Sequence, residues 1–278
     1  MIRTMITATN TMNQLQNQFD IIGNNLANSS THGFKANQAS FQELLYQQYN
    51  NDTADTAPRQ SPLGIRYGTG AKIGQTQMNW KQGSIQQTDR QLDFTLTTPK
   101  QYFNILMPGE GGEQTAYTRQ GAFYASPIEN GQMMLVTGDG YPIADENGLP
   151  ITFGEDVTGY AVRPDGVLEI QNTDGTTQTS NLGITVIERP DLMEHISGTY
   201  IGLPGNTEDL GVAEQDVLTN LQGQERGVIG LLNGALEGSN VNYEKEMTDL
   251  INVQRSYQFN SRAVSMADQM LGLINGIR

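Results

Sequence analysis

The chain contains no cysteine, so neither a disulfide framework nor a thiolate metal site is open to its 278 residues. Histidine is almost as scarce: His32 and His195 are the only two and lie in separate regions, which leaves a zinc site short of ligands. Basic residues are outnumbered, 16 Lys and Arg against 30 Asp and Glu, and the net charge of −14 argues against nucleic acid as a partner. Long apolar runs are missing too. Arg3, Thr4, Thr7, Asn10, Asn13, Gln14 and Gln16 interrupt the first twenty residues, which therefore lack the core of a cleavable secretion signal. No segment reaches the length of a membrane span. These absences predict a chain that is cytoplasmic or exported without such a signal, does not insert into membranes, and carries no metal or other cofactor. No Ser and His stand in a recognisable triad, no pair of acids is singled out, and Gly68, Gly70 and Gly74 miss the dinucleotide spacing, so no catalytic residue is nominated and no enzyme is expected.

What is present is concentrated at the two ends. Met5, Ala8, Met12, Leu15, Phe19, Ile22 and Leu26 recur at alternating intervals of three and four, the rhythm of a coiled-coil seam. Met247, Leu250, Tyr257 and Val264 keep the same rhythm near the other end, and Met266, Met270, Leu273 and Ile277 form a neighbouring stripe. The spacing predicts a helix from about residue 2 to 27, ending in the polar string before Gly33, and another from Asn242, its N-cap, to Ile277. One such stripe cannot offset the cost of ordering its own backbone, so each helix needs a partner, and the other end of the chain is the nearest candidate. Ile2, Ile6, Ile21, Ile251, Val253 and Ala263 widen the apolar faces beyond a two-helix seam. Two arrangements absorb that surplus: helices from neighbouring copies, or an ordinary four-helix core within one molecule. Gly23, inside the first helix, is consistent with close approach by another backbone.

Between the ends the character changes. Residues 1–35 carry a net +1 and residues 237–278 a net −1, so the whole −14 lies in the middle, as suits a solvated outer surface. Asn130-Gly131, Asp139-Gly140, Asn147-Gly148, Asp165-Gly166 and Asp174-Gly175 mark hairpin turns between short β-prone runs such as 133–137, 160–163, 167–170 and 182–187. Ser40 with Glu43 reads as a capping box opening a short helix. Asp145-Glu146-Asn147-Gly148 lacks the further ligands of a calcium loop and reads as a hairpin.

The predicted fold is α+β: a discontinuous helical base of coiled-coil type, made by the long N- and C-terminal helices, with an inserted all-β domain. The expected boundaries are a helical assembly segment at 1–50, a linker at 51–64, a β-rich body at 65–201, a return linker at 202–224 and a second helical assembly segment at 225–278.

Particular residues carry a resemblance. Asn24-Asn25-Leu26-Ala27-Asn28 with Thr31-His32-Gly33-Phe34-Lys35 at the front resembles the axial proteins of the bacterial flagellum, the rod and hook subunits. So does Glu237-Gly238-Ser239-Asn240-Val241-Asn242 at the back, with Glu246-Met247, Ile251, Gln254-Arg255-Ser256-Tyr257 and Ala267-Asp268-Gln269-Met270-Leu271. Gln82-Gly83-Ser84, 117–123, 135–137 with 140–142, and 164–167 are similar to the distal-rod branch of that family. The chain departs from it at 97–103, where Thr98-Pro99-Lys100 stands in place of a glycine-rich turn.

The resemblance implies a structural subunit of the basal-body rod, or alternatively of the hook. It would pass through the flagellar type III export apparatus and assemble outside the cytoplasmic membrane with copies of itself and other axial proteins into a hollow tube for motility. The implied assembly interface comprises Met5, Met12, Leu15, Phe19, Ile22 and Leu26, then Asn24, Asn25, Asn28, Gly33 and Phe34, with Ser239, Asn240, Asn242, Met247 and Leu250. Gln254, Arg255, Tyr257, Asp268, Met270 and Leu271 complete it. Its amides are either solvent-facing and capping groups or inter-subunit hydrogen-bonding groups that fix register. A secreted binding module with a ligand on its β face is the reading from another class.

Overall fold

The computed structural model describes residues 2–43, 47–49, 65–68, 70–109, 112–128, 131–204 and 213–276. The chain divides into two compact units, one made of Met1–Ala27, Asn37–Met78 and Asn242–Arg278, the other of Asn28–Ala36 and Asn79–Val241.

The first unit contains the two long helices, Ile2–Ala27 and Tyr243–Gly276. The Asn242 side-chain oxygen accepts from the Lys245 amide at 3.0 Å, and Glu244 and Glu246 stand in the first turn, where the helix dipole favours them. The helices run antiparallel: residues 3–11 face 260 and 263, residues 15–19 face 253–258, and residues 18–25 face 245–249.

The apolar cluster between them is small, with Leu15, Ile22 and Val253 buried and Leu250 packed alongside. Only one line of the expected front stripe is buried, namely Ala8, Leu15 and Ile22, seven residues apart. Met5, Met12 and Leu26 are half-buried and Phe19 is exposed. Val253, expected to widen the outer face, instead lies in the seam. Beside the buried line runs a polar one, Thr11, Gln18 and Asn25. A β-ribbon packed on this helix explains amides near that line. The Gln14 side-chain oxygen accepts from the Ile73 amide at 2.9 Å, and Asn25 exchanges two hydrogen bonds with the Asn37 backbone at 2.8 and 2.9 Å.

In that ribbon, strand Asn37–Glu43 pairs antiparallel with Ala71–Met78, and Gln47–Tyr49 with Ile65–Tyr67. The expected short helix from Ser40 is therefore corrected to strand at 40–43 and 47–49, its residues 44–46 lying outside the described ones. A ten-residue helix is marginal alone, and here the backbone of 37–43 finds partners along Ala71–Met78. The register shifts between Ala39 and Phe41, which puts Gly74 at a bulge. Residues 65–78 thus belong with the helices, whereas the expectation grouped them with the β body; the expected linker 51–64 lies outside the described residues.

The second unit is built on a six-stranded antiparallel sheet in the order Glu194–Ser197, Tyr200–Gly202, Gly112–Thr118, Gln101–Gly109, Ile184–Ile187, Leu218–Asn220. Two three-stranded meanders accompany it, Phe123–Ile128, Gln132–Thr137 and Thr152–Gly154, then Val157–Val162, Val167–Asn172 and Thr177–Asn181. Phe94, Phe103 and Phe123 lie at the centre of one continuous core, the Phe94 and Phe103 ring centroids 5.7 and 5.1 Å from that of Phe123. The glycines of the five Asx-Gly dipeptides all have positive φ, between 69° and 89°. The Asp145 carboxylate accepts from the Asn147 and Leu149 amides at 2.8 Å, closing a turn on itself.

Part of the expected return linker is strand, because Leu218 and Leu221 are buried at the sheet's edge. Likewise residues 231–237, expected within the helical segment, form strands Leu231–Asn233 and Ala235–Glu237 against Phe94–Leu96 and Ile85–Gln87. Their buried Leu231, Ala235 and Leu236 supply the reason.

Candidate assembly surfaces

The helices present far more apolar surface than they bury against each other. Phe259, Ala263, Met266, Met270 and Leu273 follow one another at intervals of four and three along Tyr243–Gly276, a helical stripe. Phe259 is 73% exposed, Met266 55% and Leu273 70%. Ile251, Tyr257 and Ile274 add to it on the same helix, and Ile2, Ile6 and Phe19 are exposed on the other. Among the described residues, three large side chains are buried between the helices against this many exposed ones, which leaves apolar surface open to further packing.

Of the expected interface residues, Leu15, Ile22 and Leu250 come together in the small cluster, and Leu15, Phe19, Gln254 and Tyr257 line one groove of about 330 Å³. Met247 and Leu271 are half-buried, while Asn24, Arg255, Asp268 and Met270 are exposed. Asn25 differs from the expectation of an inter-subunit amide, since its side chain is buried and bonded to its own chain's Asn37.

The motif residues around 33 and 240 meet inside the second unit. Glu237 is buried there between two cations, its carboxylate 2.6 Å from Lys35 Nζ and 2.5 Å from Arg119 Nη1. The same carboxylate accepts from the Gly83 amide at 2.9 Å, and Lys35 also donates to the Lys81 carbonyl at 2.9 Å. Arg119 donates to the carbonyls of Gln101 and Thr98 at 2.9 and 2.5 Å and lies over the Tyr102 ring. Burial pulls the Lys35 ammonium below its usual 10.5, with Arg119 acting in the same direction and Glu237 opposing both. Burial likewise pushes the Tyr102 hydroxyl well above the ordinary tyrosine value.

Close approach is what the glycines of these motifs permit. Gly33 has φ +73° and a Cβ there would lie 2.5 Å from the Arg119 carbonyl carbon; one on Gly83 would lie 1.9 Å from the Gly238 oxygen. Phe34 is fully buried, and Asn240 bridges three backbones, accepting from Ala36 and donating to the carbonyls of Asn79 and Lys81 at 2.6–2.8 Å. Gly33, Phe34 and Asn240 therefore serve the chain's own fold, because their polar groups and the space beside them are already taken. The side chains of Asn28 and Ser239 make local turn contacts, with the Thr31 hydroxyl and the Val241 amide.

Three family descriptions match this chain: "Flagella basal body rod protein" over residues 5–35, "Flagellar hook protein FlgE/F/G D1 domain" over 99–170, and "Flagellar basal body rod FlgEFG protein C-terminal" over 232–277. Among similar proteins, the "Flagellar hook-basal body complex protein FlhP" of Bacillus subtilis is 39% identical, with the whole of both chains covered. The "Flagellar basal-body rod protein FlgG" of Caulobacter vibrioides is 33% identical over the whole of both chains, and that of Bacillus subtilis 30% over 98% of this chain and 97% of its own. The chain belongs to the flagellar basal-body rod and hook protein family. It is a structural rod subunit of the flagellum, and this family is not a class of enzymes.

Within this rod subunit the buried ion cluster takes one member from each matched segment: Lys35, Arg119 and Glu237. In the sequence these three residues stand only as members of the family motifs, with no role marked. The signal lay in their neighbours, since a charged residue beside Gly33, Gly121 or Gly238 sits where backbones touch. The departure at 97–103 also has a structural expression. Lys100 has φ +64°, the one left-handed non-glycine residue among the described ones, in the turn that a glycine would occupy without strain. No described helix is long and apolar enough to cross a membrane, and among the described residues no group of three or more His, Asp or Glu is placed to hold a metal ion.

Proposed function

We propose that this subunit polymerises through its terminal helices into a hollow axial tube at the distal rod or the rod–hook boundary. Its partners are copies of itself and the other rod and hook subunits. The observation that carries the reading is the mismatch between the apolar surface of the two helices and the few side chains they bury against each other. Neighbouring helices would complete that core by coiled-coil-type packing, and heterologous contacts would extend a helical filament in preference to a closed ring. Residues 1–50 and 225–278 contain the assembly segments, with Met5, Met12, Phe19, Leu26, Gln254, Arg255, Tyr257, Asp268, Met270 and Leu271 at the inter-subunit contacts. The chain reaches its site by the flagellar type III route and does not insert into the membrane.

The 39% identity to a relative described as a hook-basal body complex protein favours the rod–hook boundary over a position deeper in the rod. Deleting residues 1–30 removes the first helix but keeps Gly33 to Lys35, so the β body should remain folded, soluble and monomeric. Unchanged assembly of that deletion would overturn the proposal.

A further inference from the structure

Resting on that reading of the helices as assembly elements, we propose that Phe259 is the knob of a head-to-tail contact. It seats in the groove lined by Leu15, Phe19, Val253 and Tyr257 of a second copy of this chain. Phe259 is the most exposed large apolar side chain among the described residues, and the groove, of about 330 Å³, is apolar inside with an uncharged rim of Gln16, Gln254 and Gln258. A ring fits there, and glutamine amides at the rim can pair with a neighbour's polar groups without a buried charge.

The geometry excludes the chain filling its own groove. Phe259 lies two residues beyond Tyr257, about 200° further round the helix, so knob and groove face opposite ways. A contact made this way leaves every pair with one free knob and one free groove, and growth has no natural stop. Met266, Met270 and Leu273 continue the knob's face along the helix and lengthen the contact.

Charge points to the same occupant. Arg255 and Arg262 stand four residues before and three after Phe259, on its side of the helix. Asp20, the only acid of the first helix, adjoins Phe19 and follows Gln16 by four at the groove. The segments that meet are near neutral overall, whereas the −14 of the middle would repel copies meeting there.

The test is sedimentation velocity of the full-length chain over a range of concentrations, with Phe259→Ala and Gln258→Trp, the second chosen to plug the groove. Both positions are exposed, so far-UV circular dichroism and melting temperature should match the parent. Each variant should weaken assembly by about tenfold or more. An equal mixture should form dimers and stop, since Phe259→Ala supplies an open groove and Gln258→Trp a knob. Assembly of Phe259→Ala at parental concentrations would overturn this contact while leaving helix-driven assembly intact. Loss of assembly in both variants with no dimer in the mixture would overturn the groove as the seat. A parent chain monomeric at every concentration would instead sink the wider reading.

Discussion

Replacing Glu237 with Gln takes the only anion out of a cluster that also holds Lys35 and Arg119, both nearly fully buried and within 2.6 Å of its carboxylate. A Gln carbonyl can still accept from Gly83, so the hydrogen-bonding share is partly kept and the loss is mainly electrostatic: two cations without a counter-charge. Breaking a buried pair of this kind costs about 3–5 kcal/mol, and each kcal/mol moves the midpoint by roughly 2–4 °C in a protein of this size, so a fall of about 6–20 °C is expected. Lys35→Met added to Glu237→Gln should recover part of it, with a coupling of at least about 1 kcal/mol in the cycle. The pH dependence has a definite sign. Because burial lowers the Lys35 pKa in the fold, the unfolded chain binds more protons between that lowered value and 10.5, and the Lys35 contribution to stability rises with pH across that window. The Glu237→Gln defect should therefore be largest near neutrality and shrink towards pH 10.5. Thermal and urea unfolding of the full chain read both effects. A midpoint within about 2 °C of the parent, or a defect that grows with pH, would refute the cluster as the fold's electrostatic clasp.

Lys100→Gly should raise stability by up to about 1 kcal/mol in urea unfolding, since the left-handed turn costs a β-carbon and the Glu188 contact it loses is exposed and long at 3.5 Å. Gly23→Ala meets no atom within 4 Å in the isolated chain, so it should stabilise the first helix by about 1 kcal/mol while reducing the pelleted fraction if a neighbour's backbone approaches there; unimpaired pelleting would remove Gly23 from the interface. Tyr102 and Tyr200 have raised pKa values, so their neutral forms add stability that is full below pH 10 and is lost as pH rises above it. Absorbance titration at 295 nm should show those two ionising only together with unfolding, whereas a fully reversible titration of all tyrosines in the folded chain would contradict their burial.

Local chemistry made the β body legible. Five Asx-Gly turns and the alternation between them located the meanders, because a positive φ at a hairpin is a requirement of a few residues. The two helices were equally plain from their period, yet which line of the stripe is buried was not. Thr11, Gln18 and Asn25 lie beside the buried line next to a ribbon formed by residues 37–43 and 71–78, and nothing local in a polar segment announces a ribbon. The Ser40 capping box was overridden by pairing with the distant strand Ala71–Met78. Gly33, Phe34 and Asn240 looked like assembly residues because they accompany the helices in sequence, but their partners, Arg119 and the backbones of Asn79 and Lys81, are contacts no spacing rule reveals. Phe259 sits off the expected seam, on a face that the described residues leave bare.

Methionine oxidation tests most directly whether that bare face is what assembly covers. Met266 and Met270 are about half exposed in the single chain, while Met107 and Met193 are buried and serve as internal references. Under limiting peroxide the two helical methionines of the monomer should oxidise well before the references, and in the polymer they should fall to the references' rate. Equal oxidation of Met266 and Met270 in monomer and polymer would contradict the account, because the terminal helices would then keep their apolar stripe open to water after assembly.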